Sequence, residues 1–387
     1  MSLHFSPEEF HSRRARACKE MGRRGLDGLL CFAPESLYYL TGHDSFGFCF
    51  FQCLYIDASG ETTLLTRSAD LRQAQHTSDI KDIRIWVDGI DANPALDLRD
   101  LLDSKGARGG RLGVEQETHG LTAANGMKLS SALEGFCALE NADTLISGLR
   151  LVKSKAELDC IRTAARLADK SLEAGLGEIR AGADESDILA AMQSEVLRGD
   201  GDYPGNAFII GSDADALLCR YKSGRRRLNA NDQLTLEWAG VYRHYHAAMM
   251  RTVLIGEADE THISMHAAAL EALEACEDVL RSGNQVGDVF EAHRRVLEAH
   301  GHAGNRLAAC GYSMGARFAP SWMDWPMFYE GNDVVLAGDM TFFIHIILMD
   351  SVRGKAMTLG HSLRVQADGA APERLSSYGL DLLVRMG

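Results

Sequence analysis

The chain has 387 residues, 46% hydrophobic and 24% charged, and its 40 Lys plus Arg against 54 Asp plus Glu give a formal net charge of -14. That length exceeds what one hydrophobic core usually serves, and the composition is that of an ordinary folded protein, which excludes disordered, collagenous and coiled-coil architectures and predicts two domains. So acidic a surface repels a phosphate backbone and an anionic bilayer, so neither nucleic acid nor membrane is expected as a partner.

The N-terminal segment with Phe5, Glu8, Glu9, Arg13 and Arg14 is charged throughout and lacks the apolar stretch of a secretory signal, which predicts cytoplasmic residence. Residues 7–25 carry Phe10, Arg13, Ala17 and Met21 at helical spacing and end at Gly25; a buried strand is expected at 28–32. Strand-like runs at 48–56, 62–65, 83–87 and 111–114 alternate with helical stretches, which predicts an α/β domain over residues 1–148. Ser154 with Glu157 reads as a capping box at the entry to a second domain, 149–387. Helices are expected there at 154–178, 184–199, 260–282 and 286–300, and strands at 207–210, 233–239, 247–255 and 340–349, an α+β pattern with long antiparallel strands. Arg225, Arg226 and Arg227 read as a solvated corner. The longest apolar run, 340–349, is interrupted by His345 and falls short of the ~18 residues that a membrane span needs. Nine cysteines, an odd number without a Cys-x-x-Cys pair, indicate reduced and buried thiols instead of a disulfide framework or a zinc ribbon.

Several polar residues sit inside otherwise apolar stretches. In the run from Leu234 to Gly256, read as two strands with a polar and aromatic connection, alternation puts Glu237 on a face with Thr235 and puts Leu234, Leu236 and Trp238 on the other. A buried carboxylate is costly unless paired, so Glu237 is either a structural partner of Arg243 or Arg251 or a catalytic acid with a shifted pKa. His345 interrupts an apolar strand in the same way, and His246 and His361 share its ambiguity between core and catalysis. Gly311-Tyr312-Ser313-Met314-Gly315 matches the G-x-S-x-G nucleophile elbow, but Pro320 and Pro326 forbid the helix that must follow it. A glycine-flanked turn presenting Tyr312 or Ser313 to a pocket is expected instead. Trp238, Trp322 and Trp325 lie near these polar positions, and aromatic walls beside a carboxylate suit an organic cation.

Taken in order, the helix entry Leu149-Arg150-Leu151-Val152-Lys153-Ser154-Lys155-Ala156-Glu157, the Arg251-Thr252 strand ending at Gly256, the Gly311 to Gly315 segment and the Gly338-Asp339-Met340 strand entry resemble the pita-bread superfamily of methionine aminopeptidase, prolidase, creatinase and ectoine hydrolase. The resemblance implies an α/β creatinase-type N-terminal domain followed by an α+β pita-bread catalytic domain. The family's peptidases hold two metal ions on two Asp, one His and two Glu, and the matching positions here are Trp238, Ala248, Tyr312, His345 and Gly360. Such metals need hard oxygen ligands, so no metal and no cofactor are expected, with Glu237, His345 and His361 left as a conceivable single-metal set.

Metal-free members of the superfamily hydrolyse C–N bonds of small nitrogenous solutes, and the stretch Glu237-Trp-Ala-Gly240 with Arg243-His-Tyr-His246 looks like the ectoine-hydrolase form of this hairpin. The implied activity is hydrolysis of a C–N bond in a small cationic or zwitterionic solute. Glu237 would be nucleophile or base, His345 and His246 proton shuttles, and Tyr312 a donor to developing charge. Trp238, Trp322, Trp325 and His361 would line the substrate. A homodimer is also implied, with Arg67 and the loop 41–48, including Phe46, closing the other subunit's pocket. An osmolyte lyase such as one acting on dimethylsulfoniopropionate, an Xaa-Pro dipeptidase-like protein and a non-catalytic binding module are the alternatives.

Overall fold

In the computed structural model, which describes residues 3–220 and 225–386, the chain divides into two units, Met1–Arg150 and Leu151–Gly387. The first is built on the strands β1 (Gly28–Cys31), β2 (Cys53–Asp57), β3 (Thr62–Arg67), β4 (Asp82–Trp86), β5 (Arg111–Val114) and β6 (Ala138–Asn141), ordered β4-β3-β2-β1-β5-β6 in one sheet. The helices α1 (Pro7–Arg24), α2 (Pro34–Thr41), α3 (Leu71–Thr77), α4 (Pro94–Ser104), α5 (Ala123–Leu133) and α6 (Asp143–Leu151) accompany it. The strand expected at 48–56 is shorter than its apolar run, because residues 47–49 form a 3₁₀ turn before the chain extends at Cys53. Strand β6 carried no signal, since its Ala-Leu-Glu-Asn sequence is half-exposed and has no apolar run.

One buried acid organises the centre of this unit. Glu115, just beyond β5, accepts the backbone N–H groups of Phe32 and Ala33 at 3.0 and 2.9 Å and the Ser36 hydroxyl, so it caps the amino end of α2 from a distant part of the chain. Burial nevertheless pushes its carboxyl up to about 7, against the lowering effect of those three bonds.

The second unit is a sheet ordered β11-β10-β12-β13-β9-β8-β7, with β14 on β13 and β15 on β9. Its strands are β7 (Ile209–Ser212), β8 (Asp232–Tyr242), β9 (Tyr245–Ile255), β10 (Gly311–Ser313), β11 (Asp324–Met327), β12 (Thr341–Asp350), β13 (Lys355–Arg364), β14 (Glu373–Arg374) and β15 (Leu383–Arg385). The helices are α7 (Lys155–Glu178), α8 (Glu185–Arg198), α9 (Glu260–Val279) and α10 (Val286–Ala299). The expected capping box opens α7: Ser154 Oγ accepts the Glu157 N–H at 3.3 Å and Glu157 Oε2 accepts the Ser154 N–H at 2.8 Å. Strand β13 was not foreseen, although its Met357, Leu359 and Leu363 alternate with Thr358, Gly360 and Ser362.

That alternation sorts the sheet into a covered and an open face. Leu234, Leu236 and Trp238 of β8 pack with α7 and α8, while Phe342, Ile344, Ile346 and Leu348 of β12 pack with α9 and α10. Trp238, Met249, His361 and Ile344 pair in one row across β8, β9, β13 and β12, so these clusters belong to the same face. Gly240 has to be glycine, because a Cβ there would lie 1.8 Å from the Ala164 carbonyl oxygen of α7. The β8–β9 hairpin closes on Arg243 and His244 with φ of 51° and 63°, a two-residue turn of the type that matches strand twist. His244 stacks on Phe318 at 4.1 Å and gives its N–H to Asp202, which holds the tip without the usual Asn-Gly.

The arginine cluster at 225–227 is more than a solvated corner. Arg226 donates to Asp232 and to the Ser212 hydroxyl, each at 2.7 Å, and buried Glu185 accepts the N–H groups of Arg225 and Arg226.

Because folding raises the Glu115 pKa from 4.5 to about 7, the native state prefers the protonated acid. The associated stability is complete below the unfolded value and is lost as pH climbs through about 7. Glu115→Gln keeps an acceptor for the two amides and removes the charge, so it should melt higher than wild type at pH 8 and no higher at pH 4, by on the order of 2–3 kcal/mol at the alkaline end. Thermal unfolding across that range measures it, and a difference independent of pH would refute it.

Candidate active site

Pairing across the open face decides which side chains can meet. Glu237 on β8 pairs with Met250, Met250 with Gly360, and Gly360 with His345 on β12, so Glu237 and His345 project to the side away from the helices. Tyr312 on β10 joins them through its pairing with Phe343, two residues from His345. The tyrosine hydroxyl accepts the Trp322 indole N–H at 2.8 Å and stands 3.3 Å from Glu237 Oε1. An indole nitrogen can only donate, which leaves the hydroxyl proton directed at the carboxyl group. The His345 ring lies 5.8 Å from that of Tyr312.

Trp322 is itself held from behind. Its backbone N–H donates to Asn206 Oδ1 at 3.1 Å. The adjoining Gly205 donates its N–H to His246 Nε2 at 2.9 Å, and a Cβ on Gly205 would come within 2.8 Å of the Ser321 carbonyl carbon. A line of contacts therefore runs from His246 through Gly205 and Trp322 to Tyr312 and Glu237.

Glu237 is ringed by protein yet keeps part of its surface accessible, unlike its buried neighbours Leu236 and Trp238. Burial pushes its carboxyl up to about 7, and the Arg220 charge and the Tyr312 hydrogen bond only partly offset this. Burial brings His345 down to about 4, so its imidazole is neutral at physiological pH, and Nδ1 has no hydrogen-bond partner among the described residues. The Tyr312 hydroxyl is raised by burial and by the Glu237 charge.

Glu237, His345, Tyr312 and Trp322 thus come together, and among the described residues Glu237 forms an ion pair with neither Arg243 nor Arg251. Arg251 instead donates to the carbonyls of Met250 and Gly360. Several expectations need correction. His246 is fully buried and spends Nε2 on Gly205, which makes it a support for the Trp322 segment and not a proton shuttle. Tyr312 gives its proton to Glu237, so it is not free to serve developing charge. Trp238 is on the helix-covered face, fully buried, with its indole N–H bonded to the Ala168 carbonyl at 2.9 Å. His361 is on that face too, 2.7 Å from Glu277 of α9, and cannot line the open side. Trp325 is exposed on the edge strand β11 and makes no ring contact with the cluster among the described residues. Phe46 and Arg67, expected to close a second subunit's pocket, need no such correction: Phe46 is exposed, and Arg67 pairs with Asp88 at 2.8 Å and covers the Phe50 ring at 4.0 Å within its own unit. Residues 311–313 are a strand where a turn was expected, and Ser313 points away from Tyr312 with its hydroxyl toward the Thr341 carbonyl. Arg220 is the addition that sequence reasoning missed, since nothing in its local pattern announced a cation whose charge acts on Glu237.

Residues 159–367 match the metallopeptidase family M24, more than half of the chain, and residues 13–152 match the creatinase/prolidase N-terminal domain. The chain belongs to metallopeptidase family M24. Among M24-related proteins, an uncharacterised hydrolase/peptidase of Sinorhizobium fredii is 26% identical over 395 residues, covering 99% of each chain. The ectoine hydrolase of Halomonas elongata is 26% identical over 402 residues, covering 100% of this chain and 99% of that one. The prolidase of Thermococcus sibiricus superposes with a TM-score of 0.86 at 18% identity, over 97% of this chain and 99% of its own. The X-Pro aminopeptidase of Thermotoga maritima does so at 0.83 and 19%, over 96% and 99%. The fold is the pita-bread one behind a creatinase-type N-terminal domain, as the resemblance implied.

The M24 name implies metals, and the donor chemistry can be tested against it. Among the described residues no three His, Cys, Asp or Glu side chains converge to hold an ion. The register also corrects the expected correspondence by one residue: Ala248 pairs with Ala239, on the face of Glu237, so Trp238 cannot share a centre with it. Ala248 and Gly360 contribute no donor, Tyr312 is a phenol bonded to Glu237, and His361 faces the helices. This M24 chain does not fit a dinuclear centre, and the Glu237, His345 and His361 set is broken by the sheet itself.

The hydrogen bond from Tyr312 lowers the Glu237 pKa, so Tyr312→Phe should move its titration midpoint upward from about 7. Carboxyl ¹³C NMR of glutamate-labelled protein, assigned with Glu237→Gln, reads the shift, and an unmoved midpoint would mean that this bond is not formed in solution.

Proposed function

We propose that the chain is a metal-independent hydrolase that adds water across a C–N bond of a small cationic or zwitterionic solute of the ectoine or creatine kind. The observation that carries this reading is Glu237, an accessible carboxyl raised to about 7 on the face where the family's metal donors are missing. Supporting it is the full-length similarity to the ectoine hydrolase of Halomonas elongata. An amidinium carbon is already electrophilic, so its hydrolysis does not require a Lewis acid.

In this mechanism the Glu237 carboxylate takes a proton from water as the water oxygen bonds to the amidinium carbon. The C–N bond then breaks with its electron pair going to nitrogen. Glu237 returns the first proton to that nitrogen, and the hydroxyl of the tetrahedral adduct supplies the second. An amide and an ammonium ion leave, with atoms and charge balanced. Neutral, buried His345, whose Nδ1 has no hydrogen-bond partner among the described residues, accepts and releases the second proton. Tyr312 keeps the carboxyl oriented.

Mass spectrometry with H₂¹⁸O against ectoine, creatine and guanidino acids tests the reading. One ¹⁸O should enter the amide product, EDTA should leave the rate unchanged, and kcat should rise with pH through about 7 as Glu237 ionises. Glu237→Gln should lose roughly 10²–10⁴-fold in kcat while remaining folded. Activity lost to the chelator and restored by a divalent metal would assign the chemistry to a metal centre and overturn the proposal.

A further inference from the structure

Arg220 is a cation that the mechanism above leaves unused. It follows the 3₁₀ turn Asp213–Leu217, which is tied to the sheet because the Thr235 hydroxyl donates to the Ala216 carbonyl at 2.9 Å. Thr235 is two residues from Glu237 on the same face of β8, and the Leu218 N–H returns to Asp215 at 3.0 Å, so the turn that Arg220 follows is anchored to the sheet close in sequence to Glu237. The Arg220 side chain is exposed, and among the described residues it has neither a hydrogen-bond nor an ion-pair partner. This sets it apart from Arg226, Arg251 and Arg317, which are held by Asp232, by backbone carbonyls and by Asp324. Its charge nonetheless acts on Glu237, Tyr312 and His345 alike.

The charge balance of the cluster then favours an anion. With His345 neutral, Tyr312 un-ionised and Glu237 held partly protonated near neutrality, Arg220 leaves the resting site with net positive charge. Among the described residues Glu237 and Arg220 form no ion pair, so each charge is left for a molecule that carries its complement. A guanidinium presents a planar fork of donors that matches a carboxylate in a bidentate geometry.

We infer that Arg220 is an anion-recognition residue of this site, and that the substrate is a zwitterion whose carboxylate sits on Arg220 while its cationic C–N centre faces Glu237. The inference rests on the hydrolase reading for the second half of that statement and on the placement of Arg220 for the first.

Fragments separate the two ends. Acetate carries only the anion, acetamidinium only the cation, and guanidinoacetate both. Saturation-transfer NMR on the full-length protein should show acetate bound to wild type, absent from Arg220→Gln and partly restored in Arg220→Lys. Acetamidinium should bind wild type and Arg220→Gln equally. Guanidinoacetate should bind wild type at least about tenfold tighter than either fragment, an advantage of about 1.4 kcal/mol that Arg220→Gln removes. No acetate signal in wild type, or one that persists in Arg220→Gln, overturns the inference. Neither readout needs turnover, so a hydrolase without an acetate site and an acetate site without hydrolysis are distinguishable results.

Discussion

The hydrogen-bonded line from the Trp322 indole through the Tyr312 hydroxyl to Glu237 is the constraint on which the rest of the site depends. Each member restricts the next. The indole has only a proton to give, the hydroxyl therefore has only its own proton to pass on, and the carboxyl is oriented from one side while its other oxygen stays available. Burial of this line raises the acid toward neutrality, and the same burial keeps His345 uncharged. A carboxyl group raised to about 7 can both accept and return a proton at physiological pH, which a carboxyl in water, ionised there, does poorly.

Behind that line the sheet acts as a sorter. One residue of register separates the open face from the face covered by helices, and each face treats polar groups differently. On the covered face every prominent polar side chain is engaged: His361 by Glu277, which also pairs with Arg374, the Trp238 indole by Ala168, and Arg251 by two carbonyls. An unpaired group there would carry a desolvation cost with nothing to offset it. On the open face Glu237 has a single hydrogen bond and His345 Nδ1 has none among the described residues. His361 and Arg251 on the covered face each leave one ring or guanidinium nitrogen without a partner, Nδ1 and Nε, but each is anchored through its other nitrogens, whereas no hydrogen bond holds His345 Nδ1 on the face of Glu237.

The same sorting accounts for how a member of a metallopeptidase family presents this surface without the donors of that family. The backbone frame is retained, with TM-scores of 0.83 and 0.86 to an aminopeptidase and a prolidase. What differs is the side chains projecting from it: Ala248 and Gly360 are too small to donate, and Tyr312 turns toward the acid. The strand pairing and the helix-covered face hold that frame, and the face of Glu237 keeps buried apolar residues of its own, Met250, Phe343 and Ile347.

The sequence alone determined the two-domain division near residue 150, the helices of the second unit to within a few residues, the capping box at Ser154 and the parity that separates Glu237 from Trp238. These are local properties, set by periodicity, caps and alternation, and they survive whatever the rest of the chain does. Tertiary structure decided what those positions do. His246, His345 and His361 look alike in sequence, each a histidine in a strand, yet one supports a loop, one reaches the open face and one is bonded to a helix. Arg220 has no pattern of its own, and only the bond from Thr235 to Ala216 brings the turn before it to the strand that carries Glu237. Which polar groups meet depends on strand register and on which face the helices cover, and both are fixed by contacts between residues far apart in the chain.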